Sequence, residues 1–165
     1  MLPAYTRKEV SRISTISKYQ LRTLKEQGVD FPVERVTQNQ TCYGPEQFFA
    51  ILLVRELKVR GFCPEAVRRV TNHVQSRPGL PWERGLRWLL TDGYRVHFIA
   101  DPGVVLALLE QRRNPAFVVI PLLAMEERMK LARPVVLPPR KEPQIAKAPA
   151  QSLTDWCAAR KERWA

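Results

Sequence analysis

Apolar positions near the N-terminus recur at helical spacing in two short segments. Thr6 and Glu9 open the first segment, and Ser17 and Gln20 open the second. Both pairs have the spacing of a capping box, in which side chain and backbone of the first turn satisfy each other. Gly28 follows the second segment, where a helix that ends needs a left-handed residue. The pattern therefore predicts two helices joined by a tight turn.

The second helix has two distinct faces. Leu21 and Leu24 lie on one stripe and are expected to face the core, whereas Lys18, Tyr19 and Arg22 lie on the other face, near the N-terminus. In a helix-turn-helix, this end of the second helix enters the major groove of DNA. The alternative is a helical hairpin whose charges are simply solvated.

Two short β-prone runs follow, at residues 33–36 and 41–43, around a polar tip at 37–40. A hairpin directly after a recognition helix is the wing of a winged helix. Arg35 is the natural phosphate contact there, and the amides of Gln38, Asn39 and Gln40 are suited to hydrogen bonds with backbone oxygens. A polar surface loop is the competing interpretation.

The next two helices are predicted to supply the core. Residues 47–60 are apolar nearly all round, after a proline in the first turn. Gly61 ends this helix, and Pro64 begins another with apolar residues at helical spacing. The core candidates of the longer helix are Phe48, Phe49, Leu52 and Leu57, and those of the next are Ala66, Val67, Val70 and Val74.

A cluster of helix breakers at 76–81 is the best domain boundary. Beyond it the pattern predicts helix, strand, helix, strand and helix, at 82–90, 94–100, 103–113, 115–122 and 126–132, with Leu86, Leu89 and Leu90 on the inner side of the first helix. This small α/β unit, 78–132, is expected to serve dimerisation or the binding of a protein partner. Residues 133–165 form a basic, Pro-rich tail, expected to be extended or disordered, with a short terminal helix as an open alternative.

The fold class is therefore mainly α with small β: a winged helix-turn-helix at 1–77, the α/β unit and a flexible tail. The net charge of +11 favours an anionic partner such as DNA. No run of about 18 apolar residues occurs, which predicts no membrane span, and no apolar signal core opens the chain. We expect the protein in the cytoplasm, and on the nucleoid when it binds DNA.

No pattern indicates a metal, a cofactor or a catalytic site. Cys42, Cys63 and Cys157 are scattered, and His73 and His97 lie far from each of them in sequence, so a zinc site is not supported. Phosphate-binding glycine motifs and the GxSxG elbow do not occur. We expect a protein that is not an enzyme and carries no cofactor.

The order of these features resembles the N-terminal DNA-binding domain of MerR-type regulators. The matching stretches are YTRKEVSRISTIS, the SKYQLR start of the second helix, Tyr43 before an acidic helix start, and RELKVRGFCPEAVRRV. The resemblance covers about residues 4–75 and implies a winged helix-turn-helix that binds an operator as a dimer. It places Tyr19, Gln20 and Arg22 on the recognition helix, Arg35 and the residues near Gln40 in the wing, and Tyr43 at the wing base.

The family's long dimerisation helix has no counterpart, because no heptad run follows Val74. We therefore predict a repressor of transcription that binds a palindromic operator as a dimer. The alternatives are an antitoxin-like protein, which binds a protein partner through 78–165 and represses its own operon, and a DNA-architecture protein. The predicted DNA-binding residues are Thr6, Arg7, Ser17, Lys18, Tyr19, Gln20, Arg22, Arg35, Gln38, Asn39, Gln40 and Tyr43.

Overall fold

The computed structural model describes residues 3–33, 35–37, 40–110 and 117–136. The N-terminal part contains β1 (Pro3–Thr6), α1 (Arg7–Ser14), α2 (Lys18–Glu26), β2 (Arg35–Thr37), β3 (Gln40–Tyr43), α3 (Pro45–Val59) and α4 (Pro64–Gln75). The part that follows contains a 3₁₀ turn (Pro81–Arg84), β4 (Trp88–Thr91), β5 (Val96–Ile99), α5 (Pro102–Glu110), β6 (Val118–Pro121), α6 (Leu122–Lys130) and β7 (Val135–Val136).

The two helix starts were predicted from their caps, and the second cap is complete. The Ser17 hydroxyl accepts from the Gln20 amide at 3.2 Å, and the Gln20 side chain accepts from the Ser17 amide at 2.8 Å. At the first start, the Thr6 hydroxyl accepts from the Glu9 amide at 3.3 Å. The Glu9 carboxylate, however, accepts from Arg12 at 2.8 Å and from the Arg133 amide at 3.4 Å, so we find only half of this capping box.

Glycines end α2 and α3 as predicted. Gly28 and Gly61 have φ values of +81° and +80°, in the left-handed region that side chains disfavour. The following amides turn back: the Val29 N–H donates to the Leu24 carbonyl at 2.9 Å, and the Phe62 N–H donates to the Leu57 carbonyl at 3.1 Å. These bonds satisfy carbonyls that the helix leaves unpaired.

The predicted hairpin forms the edge of a four-stranded sheet with the order β2-β3-β1-β7. In the hairpin, Thr37 pairs with Gln40. The other two strands were not predicted: β1 pairs with β3 through Tyr5 and Tyr43, and β7 pairs with β1. The wing hairpin is therefore the outer half of a sheet that both ends of the described chain complete.

Helix α3 is the centre of the core. Phe48, Phe49, Leu52 and Leu57 are all at most 2% exposed, as its apolar sequence predicts. The same cluster contains residues of α1, α2 and α4 and also residues of β4, β6 and α6. The core therefore continues across the predicted boundary at 76–81.

The predicted helix at 82–90 is wrong. A 3₁₀ turn over Pro81–Arg84 ends at Gly85, whose φ is +75°, and Trp88–Thr91 is the central strand of an antiparallel sheet with the order β5-β4-β6. Leu89 is buried in the main core, and Leu90 is buried in a second cluster. Neighbouring residues that are buried on opposite sides require the two-residue period of a strand.

The rest of this unit follows the prediction more closely. Strands β5 and β6 and helices α5 and α6 lie within or close to their predicted ranges. The Asp101 carboxylate accepts from the Gly103 amide at 2.8 Å at the start of α5. The observed order is therefore 3₁₀ turn, strand, strand, helix, strand and helix. Among the described residues, none of the helices is both long enough and apolar enough to cross a membrane.

Candidate nucleic-acid interface

Helix α2 is anchored by its apolar stripe. Leu21 is 8% exposed and Leu24 is 1% exposed, and both belong to the main core. The opposite face presents Lys18, Tyr19 and Arg22 to solvent, with Tyr19 78% exposed. An amphipathic helix held in this way offers a basic and aromatic surface in a fixed orientation.

The charges on α2 are only loosely paired. Arg22 Nε lies 3.2 Å from Glu26 Oε1, and both side chains are more than 60% exposed. At the far end of the helix, Lys25 Nζ lies 3.5 Å from Asp30. Exposed ion pairs of this kind contribute about 0–1 kcal/mol to stability. A phosphate group can therefore replace Glu26 as the partner of the Arg22 guanidinium at little cost in free energy.

Thr6 and Arg7 lie where α1 meets the wing. Thr6 is the last residue of β1 and caps α1, and an Arg7 guanidinium N–H donates to the Thr41 hydroxyl on β3 at 2.6 Å. The Arg7 Nε is buried without a hydrogen-bond partner in the described structure. Arg7 thus ties the first helix to the wing hairpin while it keeps an unsatisfied donor, which is an unfavourable arrangement in a free protein.

The remaining wing residues fall partly outside the described structure. Gln38 and Asn39, at the tip, are not among the described residues. Arg35 and Gln40 lie on β2 and β3, with backbone positions but no described side chains. Tyr43 is 5% exposed and packs in the core, so the geometry supports a structural role at the wing base.

One residue that the sequence analysis missed lies beside the helix-helix turn. Arg55 on α3 donates from Nε to the Thr15 hydroxyl at 3.0 Å, and Thr15 is the left-handed residue of the turn, with φ +59°. Arg55 is the first charged residue after the apolar run of α3, and this charge is the sequence signal that could have found it. Arg55 fixes the turn that sets the angle between α1 and α2.

Arg55 also belongs to a cluster around one carboxylate. The side chain of Glu56 is 16% exposed and lies 3.0 Å from Arg55, 3.9 Å from Arg60 and 2.6 Å from Arg128 of α6. One negative charge against three positive charges leaves a net charge of +2. The cluster joins the helix-turn-helix, α3 and the second unit, and it adds positive charge on the side of the Thr15 turn.

Two acidic side chains on the helices are held in the ionised form by neighbouring arginines. The hydrogen bond from Arg12 lowers the pKa of Glu9, and the hydrogen bond from Arg68 lowers the pKa of Glu65. The Glu65 side chain is 55% exposed, whereas that of Glu9 is only 21% exposed. They pair with arginines of α1 and α4, whereas Lys18 on α2 forms no ion pair within the described part of the chain.

The arrangement of α1, α2 and the β2–β3 hairpin defines a class of protein. A helix pair with a tight turn, an exposed basic-aromatic second helix, and a hairpin beside it form a winged helix-turn-helix, a fold that binds double-stranded DNA. The comparison with protein families agrees: residues 5–74 match the model described as MerR HTH family regulatory protein. Residues 5–74 therefore form a MerR-type helix-turn-helix domain, and such a domain supports a DNA-binding transcription regulator.

The match ends within α4, one residue before the helix does. It does not extend to the second unit, which runs from the 3₁₀ turn onward. No curated protein matches the chain. The function of the second unit therefore has to be inferred from its own surface.

Proposed function

We propose that the protein is a sequence-specific repressor that binds a palindromic operator as a dimer. The exposed Lys18, Tyr19 and Arg22 at the N-terminus of α2 carry the proposal, because buried Leu21 and Leu24 fix their direction. In this role α2 reads the major groove, and the wing contacts phosphates through Arg35 and the tip amides. Repression is favoured over activation because α4 is not followed by a long dimerisation helix among the described residues.

An antitoxin-like function is the second candidate. It would require a protein partner bound to residues 78–165, and the apolar exposed residues of α5 are the feature that favours it. Co-purification from the source cell would recover a stoichiometric partner under this alternative. Recovery of the chain alone, together with tight operator binding, would contradict it.

Binding-site selection from random duplexes tests the main proposal. We expect a two-fold symmetric consensus, and an affinity for that duplex at least about 1,000-fold higher than for random duplex at physiological salt. The logarithm of the affinity should fall linearly with the logarithm of the salt concentration, because phosphate contacts release counterions. Equal affinity for all duplexes would contradict the proposal.

Two lysines on α2 offer a matched pair of variants. Lys18→Ala removes a charge at the N-terminal end, and Lys25→Ala removes the same charge near the C-terminal end, where the lysine pairs with Asp30. We expect Lys18→Ala to weaken operator binding by about tenfold or more, and Lys25→Ala to change it by less than about threefold. The measurement is fluorescence anisotropy with a labelled duplex. Equal effects would show that α2 does not enter the groove by its N-terminus.

A second set of variants distinguishes residues that read DNA bases from a residue that contacts phosphates. Tyr19→Ala and Arg22→Ala are expected to reduce the preference for the consensus over a mutated duplex. Arg35→Ala is expected to weaken binding to both duplexes by a similar factor and to lower the salt slope by about one. A loss of specificity with Arg35→Ala alone would reverse the proposed roles of α2 and the wing.

A further inference from the structure

Helix α6 of the second unit makes polar contacts with the helix-turn-helix domain at two places. The Arg128 guanidinium lies 2.6 Å from the Glu56 carboxylate on α3. At the C-terminal end of α6, the Leu131 carbonyl accepts from the Arg12 guanidinium of α1 at 3.1 Å. Strand β7, which follows α6, pairs with β1, and β1 leads directly into α1. A part of the chain beyond the family match therefore holds α1 and α3 in place.

The turn between α1 and α2 contains a residue in an unfavourable conformation. Thr15 has a φ of +59° and is the one non-glycine residue with a positive φ in the described ranges. A β-branched residue rarely adopts this region, so neighbouring contacts have to hold it there. The hydrogen bond of 3.0 Å from Arg55 Nε to the Thr15 hydroxyl is such a contact. Because Ser17 caps α2 two residues later, this turn sets the direction of α2.

Arg128 is connected to this turn through one oxygen atom. Glu56 Oε1 accepts from Arg55 at 3.0 Å and from Arg128 at 2.6 Å. The Glu56 and Arg55 side chains are 16% and 28% exposed, so solvent screens their charges less than on an open surface. Together, Arg128, Glu56, Arg55 and Thr15 form a continuous polar network from α6 to the turn, which we call the α6–turn network.

The position of the Glu56 carboxylate depends on Arg128, which supplies the shorter of the two hydrogen bonds to Oε1. Without Arg128, the carboxylate can rotate toward Arg60, whose Nε lies 3.9 Å from the other carboxylate oxygen. This rotation would lengthen the bond to Arg55 and weaken the hold of Arg55 on Thr15. The left-handed turn would then lose a contact that supports it.

From these contacts we infer that Arg128 is a positioning residue for DNA recognition, which acts by supporting the Thr15 turn and not by touching DNA. The inference rests on the proposed function and deepens it, because it gives the second unit a part in orienting α2. Groups that recognise a ligand have to be held within about 0.5 Å of their productive position by the residues behind them. The contribution of Arg128 to operator affinity therefore depends on Arg55.

Operator affinity of uncharged variants is the first test. Arg128→Met removes the charge and the donor but keeps the apolar part of the side chain, and it should weaken binding to the selected duplex by about fivefold or more. The matched control is Lys130→Met, which removes the same charge from α6 at a lysine that is 68% exposed and pairs with Glu126 one turn away. This control should weaken binding by less than about twofold. Arg128→Lys, which keeps a charge for Glu56, should restore most of the affinity. Equal losses in Arg128→Met and Lys130→Met would overturn the inference.

A double-mutant cycle distinguishes the α6–turn network from independent contributions to affinity. In an Arg55→Met background, Arg128→Met should cause little further loss, because its connection to the turn is already broken. Losses that multiply in the double variant would overturn the inference. The dependence of affinity on salt should also be the same in Arg128→Met and the wild type, since no phosphate contact is lost. A salt slope that is lower by about one would mean that Arg128 contacts DNA directly, and it would also overturn the inference.

A measurement on the free protein distinguishes failure of the inference from failure of the proposed function. The Ile16 amide donates to the Ser14 hydroxyl at 3.2 Å within the turn. Its hydrogen exchange should accelerate in Arg128→Met and keep the wild-type rate in Lys130→Met, while the amides of α3 exchange as in the wild type. An equal acceleration in α3 would indicate a loss of overall stability and would overturn the inference.

The two experiments together assign any failure to one of the two proposals. If exchange at Ile16 accelerates as expected but no duplex is preferred, the proposed function fails, whereas the support of the turn by Arg128 stands. If a palindrome is selected but Arg128→Met matches the wild type in exchange and in affinity, the inference fails and the proposed function stands.

Discussion

Several helix starts and ends depend on single residues, and the sequence was sufficient to predict them. The hydroxyl of Ser17 and the glycines that end α2 and α3 lie within a few residues of the groups that they satisfy. Such signals depend on local backbone geometry alone, so the sequence is sufficient to find them. Arg55 and Glu56 differ, because their contacts join residues that are 40 and 72 positions apart in sequence. The sequence has no pattern that pairs those side chains.

Asp92 is the residue for which a pH effect is expected. Its carboxylate accepts from the amides of Tyr94 and Arg95 at 2.8 and 2.7 Å in the turn between β4 and β5. Burial tends to raise the pKa of Asp92, but the N–H groups of Arg95 and Tyr94 stabilise the ionised form, and the resulting pKa lies below its usual value. A lowered pKa in the folded state stabilises the protein above about pH 4 and loses this effect as the pH falls through the folded-state value.

Asp92→Ala should therefore lower the unfolding free energy at pH 7 by about 1 kcal/mol, because it removes both turn contacts. The difference from the wild type should shrink as the pH is lowered below about 4. Thermal unfolding followed by circular dichroism across this pH range is the measurement. Asp30→Ala, which removes a partner of an exposed ion pair, is the control and should have little effect. A deficit that is constant from pH 7 to pH 3 would show that the charge of Asp92 does not stabilise the turn.

At the level of elements, the N-terminal helices were predicted well and the strands less so. Strand β1 was missed because it has no periodicity of its own and pairs with β3, with Tyr5 opposite Tyr43. Leu86, Leu89 and Leu90 have the spacing of a helical stripe, which explains the wrong helix at 82–90. Strand β4 forms instead because it packs against apolar clusters on both of its faces, and this tertiary packing outweighs the local helical pattern.

The cap of α2 connects element stability to DNA binding. Ser17→Ala removes the hydroxyl that accepts from the Gln20 amide and should destabilise the protein by about 1 kcal/mol. Ser17→Asp keeps an acceptor and adds a negative charge at a helix N-terminus, so the stability should be kept. The same charge lies at the proposed DNA surface and should weaken DNA binding strongly through repulsion from phosphates.

Chemical denaturation and anisotropy titration on the same samples separate the two effects. We expect Ser17→Ala to lose mainly stability and Ser17→Asp to lose mainly affinity. Ser17→Thr, which preserves the hydroxyl, is the control for both measurements. If Ser17→Asp binds DNA as tightly as the wild type, the N-terminus of α2 does not face the phosphates.

At the scale of the whole molecule, the family domain and the second unit share one core. Leu89, Ile120, Leu122 and Met125 belong to the same buried cluster as α3. Polar contacts reinforce this packing, since Arg128 pairs with Glu56 and the Arg12 guanidinium donates to the Leu131 carbonyl at 3.1 Å. A boundary inferred from helix breakers at 76–81 thus need not separate two units that fold independently. Whether two units share a core depends on tertiary packing, and the positions of helix-breaking residues in the sequence carry no information about that packing.

This shared core predicts that the described part of the chain unfolds in one cooperative step, with equal calorimetric and van't Hoff enthalpies. Two neighbouring residues of α6 provide the test, because Leu122 is fully buried in the core and Leu123 is 49% exposed. Leu122→Ala should lower the unfolding free energy by about 2–5 kcal/mol, whereas Leu123→Ala should change it by less than about 1 kcal/mol. The loss in Leu122→Ala should be shared by the helix-turn-helix, and hydrogen exchange at the amides of α1 and α3 should accelerate with it. Two separate transitions, or acceleration confined to the second unit, would show that the DNA-binding domain is stable without its neighbour.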